Sequence, residues 1–218
     1  MDTLTHALSG ALLGRATAPA DGPGVIPLRR RVALGALAAA FPDIDVVVSF
    51  TTPLAYLYHH RGVTHSWVML ALWAVLLAWL CSKLWKNGPG WKAYAGVFAW
   101  GIAAHIAGDW ITSFGTMMFA PLSDARVEIG TTFIIDLWFS GIIVLGLLTC
   151  LVWRRSRVPA VAGLAVLCSY VFFQYVQQQR AVAWGESYAR AQGLTNATDR
   201  KSTRRTPVTF RNLVCRLL

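Results

Sequence analysis

The chain has 218 residues, 56% of them apolar and 14% charged, against roughly a quarter charged in a soluble domain. That balance excludes an ordinary soluble enzyme, and ten tryptophans suit a lipid–water interface, so the chain is read as an integral membrane protein. The net charge of +10 is assigned to loops that set topology and not to nucleic-acid binding, because no arginine-rich stretch is interleaved with aromatics for base stacking.

Six helical segments are predicted in chain order. The first runs from about Thr3 to Thr17, is rich in Ala, Leu and Gly, and contains His6. It lacks a basic leader, so no cleavable signal peptide is expected. A Gly/Pro-rich loop (Asp21 to Gly24) and the cluster Arg29-Arg30-Arg31 precede the second segment, Val32 to Phe41, which Pro42 should stop. Val46 to Leu57 is apolar but interrupted by Pro53. The third segment is Ser66 to Leu84, the fourth Ala93 to about Phe114, the fifth Thr131 to Trp153, and the sixth Val158 to about Tyr175. Segments three to six approach the roughly 20 residues that cross a bilayer. The expected fold is therefore all-α, a polytopic transmembrane helix bundle with about four full spans and two shorter N-terminal helices. A membrane-embedded domain over 1–178 precedes a polar, flexible tail over 179–218, disordered across 195–209. Cys81, Cys150, Cys168 and Cys215 form no close pair and read as free thiols.

Loop charges give an orientation. Lys and Arg total ten in the loops 15–31, 83–92 and 154–157, and two in 42–65 and 115–130. The positive-inside rule turns the first set to the cytoplasm, although the eight basic residues from Arg180 onward run against it.

Four polar islands then fall on the non-cytoplasmic side: Thr5-His6, Pro42-Asp43-Ile44-Asp45, the run His60 to Ser66, and His105 to Asp109. Imidazoles and carboxylates are the ligand types of zinc and similar divalent ions. Ionisable groups within spans are costly and become functional candidates. His105 and Asp109, four apart on a helix, face one side and can hold one ion. Of Asp43 and Asp45, one can cap the following helix, and the pair can bridge two cations or supply a base. His60 and His65 flank Arg61, a candidate clamp for a phosphate, and His59 reads as an interfacial anchor. His6 taken alone reads as a core histidine. Asp136 is a candidate partner for Arg126 or a supporting group.

Together, Thr5-His6, Pro42-Asp43-Ile44-Asp45, His60-Arg61-Gly62-Val63-Thr64-His65-Ser66 and the run from His105 to Gly115 resemble the membrane-bound metal-dependent hydrolases of bacteria and archaea. These include the LexA-binding, inner-membrane-associated hydrolases. The resemblance covers roughly residues 1–150. It implies a distant relation to zinc-dependent phospholipase C and single-strand nucleases, helical enzymes with polynuclear zinc sites that cleave phosphate esters. On that basis His6, Asp43, Asp45, His60, His65, His105 and Asp109 would be metal ligands. Thr112 and Gly115 would shape the site. Longer members continue into a soluble C-terminal portion, whereas the ending Arg211 to Leu218 looks unlike a domain end, and a truncation or an altered reading frame is the expectation there.

The expected function is a metal-dependent hydrolase of the inner membrane. It would act on a phosphate ester of a lipid or lipid-linked substrate, using two zinc ions or manganese, with Asp43, Asp45 and Arg61 in the chemistry. The alternative is a transporter or ion pathway built on the same His/Asp groups. A bis-His haem protein is a third reading.

Overall fold

The structure, a computed structural model, describes residues 1–20, 22–50, 52–85 and 88–193. The expected disordered stretch 195–209 and Cys215 lie outside them. The described residues are helical and irregular, with a single isolated antiparallel bridge, Thr116 to Val127. The chain divides into two compact units, Met1–Ser169 and Tyr170–Leu218.

Helix α1 (Thr3–Ala16) starts on Asp2, whose side chain accepts from Thr5 N, as an N-cap carboxylate does. Helix α2 (Leu28–Ala40) ends just before Pro42, as expected, but the chain continues in line as a 3-10 stretch, Phe41–Phe50. Proline lacks an N–H, so it ends the α-pattern here without turning the chain. Leu28–Phe50 thereby becomes one 23-residue apolar stretch, longer than the partial span expected. Helix α3 (Pro53–His59) follows, with Thr52 as its cap and proline in its first turn. A 3-10 turn, Val63–His65, leads to α4 (Trp67–Leu84), which Ser66 caps through Val68 N. Helix α5 is Trp91–Trp110 and α6 is Leu137–Val152, capped by Asp136. Helix α7 (Val158–Ala191) runs well past the expected end near Tyr175.

Among the described residues, three helical stretches are long and apolar enough to cross a membrane: Leu28–Phe50, Trp67–Leu84 and Val158–Ala191, with Leu137–Val152 a shorter apolar helix. Helix α5, expected as a full span, is not among these stretches; it is the central helix of the first unit. It buries Tyr94, Val97, Phe98, Ile102 and Ile106 together with His105 and Asp109.

Glycines bring α1, α2 and α5 into backbone contact. A Cβ on Gly10 would strike the Gly35 carbonyl and Ala39, one on Gly35 the Gly10 carbonyl, and one on Gly101 the Ala38 side chain. Small residues at these crossings let the helices approach without side chains between them. A second close crossing, Gly146 of α6 against Gly163 of α7, packs around Leu12.

The long connection from α5 to α6 is tied back to the segment before α4. Ser66 Oγ donates to the Met118 and Ala120 carbonyls, and Met117 N donates to the Arg61 carbonyl. Arg126 donates to the carbonyls of Gly115, Tyr58 and His60.

Replacing Gly35 or Gly10 by alanine overpacks the α1–α2 crossing and should cost about 1–3 kcal/mol in detergent unfolding measurements. Gly96→Ala, whose Cβ would enter open space, should be neutral or stabilising by up to about 1 kcal/mol.

Candidate metal centre

Asp43 sits in the first turn of the 3-10 stretch, His65 ends the 3-10 turn before α4, and His105 and Asp109 share one face of α5. Each offers one donor atom, and the four lie within 4.8 Å of one another. His65 Nε2 is 3.6 Å from Asp43 Oδ1 and 3.4 Å from Asp109 Oδ2. His105 Nε2 is 3.5 Å from Asp43 Oδ1 and 3.4 Å from Asp109 Oδ2. A tetrahedral zinc with bonds near 2.1 Å has donor–donor edges of about 3.4 Å. These contacts are thus long for hydrogen bonds and right for a shared ion.

Three of the four atoms, His65 Nε2, His105 Nε2 and Asp109 Oδ2, are buried without a hydrogen-bond partner. Leaving such atoms unsatisfied costs about 1–3 kcal/mol each, a penalty that a bound cation removes. The donor set of two imidazoles and two carboxylates suits zinc or manganese.

Neighbouring groups fix the ligands. His105 Nδ1 lies 2.5 Å from the Ala39 carbonyl. A carbonyl only accepts, so Nδ1 carries the proton and Nε2 keeps its lone pair toward the site. His65 Nδ1 faces Thr64 Oγ1 at 3.0 Å and Asp45 Oδ2 at 3.5 Å. Burial pushes the His65 imidazole below its ordinary pKa, with Asp43 pulling the other way, which favours the neutral, metal-binding form. Thr3 Oγ1 donates to Asp43 Oδ2 at 2.5 Å.

All seven expected ligands lie at this end of the bundle, in two layers. Asp45 stands behind the four-atom group: its carboxylate meets His60 Nδ1 at 3.1 and 3.2 Å and accepts from Arg61 N at 2.9 Å. His60 stacks on Tyr56, with ring centroids 4.7 Å apart. His6 Nε2 lies 3.0 Å from Asp109 Oδ1, and its ring stacks on His105 at 3.6 Å. A Cβ on Gly108 would press on that ring, so this glycine makes room for His6. Arg61, expected as a phosphate clamp, spends its terminal nitrogens on the protein: Asp109 Oδ1 at 2.9 Å and Thr112 Oγ1 at 2.8 Å. It adopts φ 59, a left-handed conformation uncommon for a residue with a Cβ. Thr112 in turn donates to the Asp109 carbonyl, and Gly115, at φ 85, accepts from Arg126. His59 is exposed, and Asp136 caps α6 through Phe139 N.

Sequence reasoning missed three contributors. The Met1 ammonium pairs with Asp109 Oδ1, and burial lowers its pKa despite that partner. The Thr3 hydroxyl and the Ala39 carbonyl complete the layer. A hydroxyl beside a helix start and a main-chain carbonyl carry no compositional signal. Met1 N and the Arg61 side chain both meet Asp109 Oδ1, while Asp43 is met by His65 and His105 and Asp45 by His60 and the main-chain N–H of Arg61. Three carboxylates gathered at one end favour a cation there.

A model of the YdjM inner membrane proteins matches residues 1–181. The chain belongs to this family. It is also 25% identical over 188 residues to the uncharacterized protein YfhP of Bacillus subtilis (strain 168). The match covers 83% of this chain and 55% of that relative, so the chain spans about half of the relative's length. No solved structure matches. Family membership makes this an inner membrane protein, and the four-donor group is one that could hold a metal ion.

Purified protein should carry tightly held zinc or manganese by elemental analysis, with His65→Ala and His105→Ala each losing it. Asp45→Asn, which removes the carboxylate behind His65 but no member of the four-atom group, should weaken metal affinity by about 10–100-fold without abolishing it.

Proposed function

We propose that this chain is a membrane-bound metal-dependent hydrolase of a phosphate ester in a lipid or lipid-linked substrate, working at the non-cytoplasmic face. The observation that supports it is a groove of about 840 Å³ joining the metal centre to an apolar wall. Asp43, Tyr56 and His60 line its polar end, and Leu37, Leu77 and Trp85 line its apolar course. A hydrocarbon chain fits that wall, and the end that carries the centre receives its polar head.

Asp43, His65, His105 and Asp109 would hold the ion. A bound divalent cation supplies Lewis acidity toward a phosphoryl oxygen and acidifies water at the site. Arg61 is a positioning residue that fixes Asp109 through its side chain and the 109–112 turn. His60, with Nδ1 on Asp45, lines the groove and is placed to take or return a proton at Nε2. Asp45 then serves as the orienting carboxylate of that pair, and Asp43 is engaged with the ion.

The packing below the centre argues against a conduction path. Ile102, Phe98, Ala38, Ala74 and Ala78 are buried there, and a proton or ion relay needs polar groups in series.

The test uses purified protein in detergent with zinc or manganese, and alkyl phosphodiesters of long and short chain. Hydrolysis should stop with chelator and return with metal, and should fall by about 100-fold or more in Asp109→Ala. Leu37→Trp, which narrows the groove, should raise KM for the long-chain ester while kcat holds. Metal-loaded protein that cleaves neither ester would refute the hydrolase; equal use of both chain lengths would refute the lipid substrate.

A further inference from the structure

A second crevice, of about 520 Å³, opens among α1, α2 and α6. It lies at the end of the first unit away from the metal centre: Arg15 in its lining is nine residues along α1 from His6, about 13 Å. Its walls are apolar, with Leu8, Val32, Val144 and Leu148 facing inward from three helices. Its rim is cationic, formed by the exposed Arg29 and Arg154 with Arg15 buried in the lining, and among the described residues no carboxylate lines it.

The arginines at this end have different tasks. Helices α1 and α6 both finish here, so their last carbonyls present partial negative charge. Arg31 answers the end of α1 by donating to the carbonyls of Gly14 and Thr17. Arg15 is buried and donates to the carbonyls of Arg154 and Ser156, closing the chain after α6. Arg30 lies over the Trp85 ring at 5.2 Å. Arg29 is exposed, and Arg154 commits its Nε to the Leu151 carbonyl at 3.0 Å, so its terminal nitrogens point to no partner among the described residues. The helix ends are already neutralised, and the rim keeps surplus positive charge over an apolar crevice.

We propose that this crevice is a binding site for an anionic phospholipid, with its phosphate on the Arg29–Arg154 rim and an acyl chain along the walls of α1, α2 and α6. Guanidinium groups bind phosphate oxygens in pairs, and basic pockets between membrane helices retain acidic headgroups. A zwitterionic lipid brings a second, cationic group for which the lining offers no carboxylate, so selection for net negative charge follows from the rim. The site is separate from the metal centre and does not depend on its chemistry.

The experiment is native mass spectrometry of the full chain in detergent, titrated with phosphatidylglycerol or phosphatidylcholine of identical acyl chains. The expected result is retention of about one phosphatidylglycerol per chain at roughly tenfold lower lipid concentration than phosphatidylcholine. R29Q/R154Q should raise the phosphatidylglycerol requirement about tenfold, while K83Q/K92Q, which removes the same charge outside the crevice, should leave it unchanged. L148W, which fills the wall without altering charge, should weaken retention too and stands in if the arginine pair does not yield folded protein. Equal retention of the two lipids, equal loss in both charge variants, or unchanged binding in L148W would overturn the site.

Discussion

The backbone contact of α1, α2 and α5 at Gly10, Gly35 and Gly101 is the constraint from which the rest follows. With side chains at those crossings the helices would stand apart. Ala39 lies beside this contact, and its carbonyl reaches His105 Nδ1 only because α2 and α5 touch there. The same contact carries the chain leaving α2 past α5, so that Asp43 meets His105 and His65, and it lays His6 of α1 flat on His105. Small residues thus set the distance at which ligands from separate helices can share one ion.

Around that ion site the protein balances charge that is costly to bury. Asp109 alone is met by the Met1 ammonium, Arg61 and His6, all on Oδ1, while Oδ2 turns to His65 and His105. One carboxylate therefore joins the positioning layer and the donor group. Arg61 stands at the junction: its backbone holds Asp45 and Met117, its side chain holds Asp109 and Thr112, and its left-handed backbone makes both sets reachable. Such a conformation persists where the surroundings over-determine it.

The two ends of the first unit divide the labour. One gathers acids and imidazoles and opens into a groove with an apolar course, and the other gathers arginines over a smaller apolar crevice. Between them α5 presents Ile102 and Phe98 to a dry core.

Much of this was legible in the chain. Low charge and long apolar segments marked a membrane helix bundle, and the spacing of His105 and Asp109 put both on one face because helical periodicity is local. The clustering of all polar islands at one end followed from counting loop charges against helix directions. Two features were not legible from local pattern. Asp43 and Asp45 read as one carboxylate pair, and on the 3-10 stretch that carries them the two side chains meet different partners. Asp43 reaches His65 and His105, and Asp45 reaches His60. Helix α7 was cut short near Tyr175 because the polar run from Gln177 was read as tail, with Ser187 to Ala191 held only as a possible continuation, although most of these residues are good helix formers. The sequence by itself determined the environment, the helix faces and the ligand chemistry, since these depend on residue type and local spacing. Only the tertiary structure decided which donor atoms lie close enough to share an ion and which groups hold them in place, because that choice rests on helix crossings, a main-chain carbonyl and a buried ammonium that belong to no motif.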